Sequence, residues 1–180
     1  MSRICVYLGS REGNSPGFRL ATNALGRALA ARGHTLVYGG ARLGLMGELA
    51  NAALEAGGDV IGVMPDHLVD REQAHFGLSE LIRVRNMHER KATMAANADA
   101  FIALPGGIGT FEELFETWTW GYLGLHTKPM GLLNIDEFYS PLLTFLDSTV
   151  GHGFLASATR DMLLDAATPN ELLDALEEQL

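Results

Sequence analysis

The sequence predicts an α/β fold: an open, mainly parallel sheet of about seven strands with helices on both faces. Three observations carry this. Short apolar runs alternate with longer segments of helical period, the helical segments have their own start and stop residues, and glycines gather where strands give way to helices.

The strands are expected at Arg3 to Leu8, Thr35 to Tyr38, Val60 to Val63, Leu81 to Val84, Ala100 to Leu104, Met130 to Leu133 and, with the weakest pattern, Met162 to Asp165. Phe18 to Arg32 puts Leu20, Ala21, Ala24, Leu25, Ala28 and Leu29 on one helical face and stops at Gly33, a residue suited to a left-handed helix end. Leu45 to Ala56 ends the same way at Gly57. The last helix opens with Thr168-Pro169-Asn170-Glu171, a capping box with proline in the first turn. No internal repeat, low-complexity tract or Pro/Ser-rich linker interrupts residues 1–180, so one domain is expected.

Composition narrows the function. With 47% hydrophobic residues the chain can bury a full core, and its one cysteine, Cys5, permits no internal disulfide, which fits a reducing, cytoplasmic setting. No charged leader with an apolar stretch precedes the first strand, and no apolar run approaches the roughly 20 residues of a membrane span. A net charge of −9 without any block of Lys and Arg argues against nucleic acid as a partner. A small phosphorylated ligand is still compatible, because a local cluster of donors decides such binding.

In open α/β sheets, ligands lie outside the carboxyl ends of the strands. Gly9-Ser10 follows the first strand, Gly39-Gly40 the second, and Pro105-Gly106-Gly107-Ile108-Gly109-Thr110 the fifth. The last of these leads into a helix expected to begin near Phe111, so its N–H groups and the positive helix end suit a phosphate, with the Thr110 hydroxyl as a further donor. A plain glycine-rich turn is the alternative. Glu113 reads two ways: a carboxylate one sugar away from that phosphate, or the return partner of a capping box begun at Thr110. Glu112 and Glu116 read as a solvated or partner-facing stripe. The run from Gly39 through Gly44 to Gly47 is explained at least as well by helix-on-sheet packing, with Met46 filling the core, as by ligand contact.

Asn86 and Glu89 form an N-cap pair for the helix before the fifth strand. Arg90 and Lys91 then sit where the helix dipole disfavours cations by roughly 0.3–1 kcal/mol each. An anionic partner, worth about 1.5–3 kcal/mol, would reverse that, whereas a solvated surface pair needs none. No G-x-G-x-x-G follows the first strand, no acidic residue ends the second, and no Walker lysine is present, so neither a dinucleotide nor a P-loop nucleotide is expected. His34, His67, His75, His88, His126 and His152 show no metal-ligand spacing, and no metal and no cofactor are expected. His126 belongs to a turn before Lys128-Pro129, and His88 to a helix start.

Pro105-Gly106-Gly107-x-Gly109-Thr110-x-x-Glu113, preceded by Met87-His88-Glu89-Arg90-Lys91, resembles the paired signature of the LONELY GUY family, the cytokinin riboside 5'-monophosphate phosphoribohydrolases. The likeness runs from Gly9-Ser10 through Gly44-Leu45-Met46-Gly47 to Lys128-Pro129 and Leu132-Leu133-Asn134. It implies a Rossmann-like fold, a homodimer or dimer-based oligomer, and hydrolysis of adenine-type nucleoside 5'-monophosphates to free base and ribose 5-phosphate. It also implies Arg90 and Glu113 as the catalytic pair. Gly9, Ser10, Met87, Lys91 and the loop Pro105, Gly106, Gly107, Ile108, Gly109 and Thr110 are implied as substrate-binding. Arg11 after Gly9-Ser10, and Ala41 as third member of the second glycine run, depart from the common pattern and bear on substrate preference.

Two rivals remain at this level. The pocket could carry a nucleotide or molybdopterin-type cofactor without cleaving it, or the chain could fit the lysine decarboxylase label that this family has carried, with Lys91 or Lys128 binding pyridoxal phosphate. Trp118, Trp120 and Tyr122 offer more aromatic surface than one helix face can bury, which predicts a homodimer through that helix with the site near the interface.

Overall fold

A computed structural model describes residues 1–70 and 73–180. Among these residues seven strands form one sheet: β1 (Arg3–Tyr7), β2 (Thr35–Tyr38), β3 (Val60–Pro65), β4 (Glu80–Val84), β5 (Ala100–Ala103), β6 (Met130–Leu133) and β7 (Leu163–Ala166). Their order is β4-β3-β2-β1-β5-β6-β7 and every pairing is parallel, so the expected "mainly parallel" sheet is parallel throughout. Among the described residues the α-helices are α1 (Pro16–Ala31), α2 (Gly44–Glu55), α3 (Met87–Ala96), α4 (Ile108–Tyr122), α5 (Ser140–Gly151), α6 (Ser157–Arg160) and α7 (Pro169–Glu177).

Strand alternation builds two cores. On β1, Ile4 and Val6 point to one face with Leu25 and Leu29 of α1, Leu49 of α2 and Leu172 of α7. Cys5 and Tyr7 point to the other, with Met94 of α3, Leu114 and Trp118 of α4, and Leu143 of α5. The sheet is thus covered on both sides, as an all-parallel sheet requires.

Chain direction reverses between β1 and β5: β1 to β4 step one way, and β5 returns to the other side of β1, in register from Ile4 opposite Ala100 to Tyr7 opposite Ala103. The loops after these strands therefore open side by side, the place where such sheets bind ligands.

Several local expectations are corrected. α1 starts at Pro16 rather than Phe18, because the Ser15 hydroxyl accepts from Gly17 N–H and proline occupies the first turn. Gly33 does take the left-handed conformation, at φ 71°, and closes that helix. α4 begins at Ile108 instead of Phe111, with Gly107 as the cap residue and no side chain capping it. Between β6 and β7 lie α5 and α6, for which no helix was expected; neither opens with a side-chain cap. Among the described residues no helix is long and apolar enough to cross a membrane.

Candidate active site

A cavity of about 640 Å³ opens over the β1/β5 reversal, within the usual range for small-molecule sites. Its floor is where the two glycine loops touch. Gly9 N–H donates to Pro105 C=O at 3.3 Å, and a Cβ on Gly9 would lie 3.2 Å from Gly106 Cα. A Cβ on Gly106 would overlap the Thr110 hydroxyl, so the approach of loop to loop and of loop to helix needs glycine at both positions. The Tyr139 hydroxyl, buried under the loop, donates to Leu104 C=O at 2.7 Å and fixes the chain just before Pro105.

Gly107 and Gly109 are different. Neither has a positive φ, and a Cβ on either would meet nothing within 4 Å. Packing does not ask for glycine here. What the missing side chains leave bare is the uncapped first turn of α4, whose N–H groups have no partner inside the helix. Thr110 sits in that turn and is buried at 3% exposure.

The early start of α4 also removes one of the two readings of Glu113, the capping box. Thr110 is inside the helix rather than at its cap, so the capping box does not form, and Glu113 faces the cavity. Its charge is felt in the sheet: burial first, then Glu113, pushes the Cys5 thiol well above the ordinary cysteine range. Burial, then Cys5, and more weakly Glu113 do the same to the Tyr7 hydroxyl.

The opposite wall comes from α3. Asn86 Oδ1 accepts from Glu89 N–H at 2.9 Å and the Glu89 carboxylate accepts from Arg85 N–H at 2.8 Å, which is the expected cap pair. One turn on, Arg90 is 4% exposed and its guanidinium lines the cavity. Nη2 donates to Gly39 C=O at 2.6 Å and Nε to Val63 C=O at 3.1 Å, so main-chain oxygens just beyond β2 and within β3 are among the partners of the cation. The solvated-pair reading of Arg90 and Lys91 fails, for Lys91 is only 6% exposed.

Lys91 nevertheless does not line the cavity. Its ammonium is bound by the carboxylates of Glu112 and, at 2.8 Å, Glu116, so those two glutamates are ion-pair partners rather than a solvated stripe. Each other residue singled out from the sequence, Gly9, Ser10, Met87, Arg90, Pro105, Gly106, Gly107, Ile108, Gly109, Thr110 and Glu113, borders the cavity.

Sequence reasoning missed part of the lining. Met94 follows Met87 and Arg90 at positions i+7 and i+4 of one helical face, a spacing that marks it as a neighbour. Gly39 and Met46 were weighed as packing and are also cavity wall. Phe138 had no signal: it arrives from the turn after β6, where Asp136 and Glu137 take left-handed φ of 50° and 57°, and it packs edge-on to Phe18. Trp118 is not surplus surface, because it is 6% exposed with its indole N–H donating to Thr159 C=O at 3.0 Å. His126 caps the turn as expected, with Lys128 N–H donating to its Nδ1 at 3.1 Å. Among the described residues no group of three His, Cys, Asp or Glu side chains could hold a metal.

Residues 46–176 match a family model described as "possible lysine decarboxylase". The chain is also 51% identical over 176 residues to the cytokinin riboside 5'-monophosphate phosphoribohydrolase LOG of Oryza sativa subsp. japonica, covering 98% of this chain and 73% of that protein. It belongs to the LOG family. A second LOG protein, from Arabidopsis thaliana, is 49% identical over 98% of this chain and 83% of its own length. Among solved structures, that of TM1055 superposes with a TM-score of 0.73 at 27% identity, covering 99% of both chains. The Moco carrier protein of Chlamydomonas reinhardtii superposes with a TM-score of 0.72 at 23% identity, covering 99% of this chain and 96% of that one, a likeness of fold alone. Within the LOG family, this chain keeps a Rossmann-like sheet and a cavity at its reversal point.

Proposed function

We propose that residues 1–180 act as one nucleotide-binding domain that hydrolyses adenine-type nucleoside 5'-monophosphates, cytokinin riboside 5'-monophosphates or AMP, to free base and ribose 5-phosphate. The observation that carries this reading is the pair Gly107 and Gly109, bare without any packing need, over an uncapped helix start. A helix start left open in this way presents N–H donors that suit a phosphate. Gly9, Ser10, Gly106, Ile108 and Thr110 complete the cradle, and Met87 with Met46 and Met94 gives an apolar wall for a base.

With the phosphate anchored remotely, its binding energy orients the bond to be broken. The C1'–N bond lengthens toward an oxocarbenium-like ribosyl cation, by analogy with O-glycosidases. The Glu113 carboxylate stabilises that positive charge and orients the attacking water, accepting one of its protons. Water oxygen bonds to C1', the base leaves with the bonding electron pair, and a proton restores its neutral form. Arg90, fixed by two carbonyls, stabilises negative charge on the departing base. No cofactor takes part in this scheme.

The decarboxylase label finds no support in the lysines. Lys91 is held charged outside the cavity, and Lys128 Nζ donates to Ala95 C=O at 2.8 Å. Incubation with AMP and with isopentenyladenosine monophosphate, followed by chromatography, separates hydrolysis from carriage: free base is expected, and recovery of intact nucleotide would overturn the reading. A Glu113→Gln variant that kept full activity would remove Glu113 from the mechanism.

For assembly, the proposed homodimer keeps Tyr122 of the expected aromatic residues but not the buried Trp118. Ile108, Phe115, Tyr122, Leu123 and Leu125 are exposed on α4 and just beyond it, an apolar stripe beside the cavity mouth. Light scattering at micromolar concentration is expected to show a dimer, and a monomer would count against it. A cytoplasmic location fits the buried free Cys5.

A further inference from the structure

We infer that Gly39 is a positioning residue for the reaction, set apart from the other glycines of its run by acting through Arg90; this rests on the reading of Arg90 as part of the active site. The run from Gly39 to Gly47 contains glycines of two kinds. A Cβ on Gly44 would overlap the main-chain oxygen of Ser10, and a Cβ on Gly47 that of Arg42. Neither obstacle can move without moving the backbone, so those two glycines serve the fold. Gly40 has φ 78° and serves it too.

Gly39 has no positive φ, and the three atoms nearest to the place of its missing side chain are side-chain ends rather than backbone. A Cβ there would overlap Arg90 Nη2 and lie 2.7 Å from Met46 Cε and 3.2 Å from Arg90 Cζ. The same residue's carbonyl accepts the 2.6 Å hydrogen bond from that Nη2. Gly39 therefore sets the guanidinium from both sides: its oxygen draws the cation onto the end of β2, and its bare Cα leaves room for it to arrive. A methyl group at this position is accommodated by side-chain movement, and the group that moves is the guanidinium. Main-chain structure at the end of β2 is kept, while the Arg90 charge leaves the place where the departing base would meet it. A displacement of about 1 Å is enough to cost around 100-fold in a positioned reaction.

The test is a double-mutant cycle of Gly39→Ala and Arg90→Ala. Base release from AMP, affinity for AMP by calorimetry and the thermal midpoint are measured on all four proteins. Gly39→Ala is expected to lower kcat/KM at least tenfold in the parent, with its midpoint within a few degrees, and to change AMP affinity less than twofold once Arg90 is already alanine. If Gly39→Ala folds poorly in the parent, recovery of the midpoint in the Arg90→Ala background supports the inference equally. Equal losses in both backgrounds, or parent-like kcat/KM in Gly39→Ala, would overturn it. Full activity in Arg90→Ala would instead sink the reading of the site on which it stands.

Discussion

Arg90 and Lys91 are consecutive, similarly buried cations on one helix, and they turn to different neighbours. Arg90 turns to the cavity, where Gly39 just beyond β2 and Val63 within β3 each offer it a carbonyl. Lys91 turns to α4, where Glu112 and Glu116 more than neutralise it. A cation that lines the cavity can act on a ligand; one that lies outside it, bound by carboxylates, joins two elements together. Here the joined elements are the helices that carry Arg90 and Glu113 to the two sides of the cavity. Sequence adjacency says nothing of this division, which depends on which neighbouring strand or helix lies below each position.

The comparison breaks most readily at Arg90. Arg90→Ala is expected to lower kcat for base release by about 100- to 1,000-fold, the scale of losing one electrostatic donor at a developing charge, with a small change in thermal midpoint. Lys91→Met should do the reverse: a loss of about 1–3 kcal/mol in stability, because two carboxylates are left side by side, and about a tenfold fall in kcat. Adding Glu112→Gln and Glu116→Gln to that variant should recover most of the midpoint. Denaturant titration and kinetics on the same preparations separate the two patterns, and a Lys91→Met protein with normal stability and abolished turnover would erase the distinction.

The smallest effect is alkaline. Burial disfavours the Lys91 ammonium, but Glu112 and Glu116 outweigh it and raise its pKa above the ordinary 10.5. A group whose pKa is raised in the folded state stabilises fully below its unfolded value and loses that contribution as pH climbs through the folded one. The parent should therefore show a steeper fall in thermal midpoint above about pH 10.5 than Lys91→Met does.

Much of the fold was legible because parallel strands and amphipathic helices leave periodic marks: all seven strands lie within a few residues of the expected runs, and the Thr168 capping box closes on Glu171. The start of α4, which has no side-chain cap, was not legible, and it mattered. Its start at Ile108 moved Thr110 into the helix and freed Glu113 from a capping role. The site was legible where glycine answers a backbone need or lies open to the cavity. Phe138 was not, because no glycine marks the left-handed turn at Asp136 and Glu137 that delivers it. Lys91 shows the converse, a residue placed beside the ligand by resemblance and found bound to α4.

The central claim is that the bare start of α4 holds a phosphate whose binding drives cleavage of a glycosidic bond elsewhere in the same ligand. The most direct measurement compares kcat/KM for base release from AMP and from adenosine under identical conditions. A ratio of at least about 1,000 in favour of AMP, as expected when a remote anchor supplies several kcal/mol toward the transition state, is the predicted result. Equal turnover of the two would contradict the account.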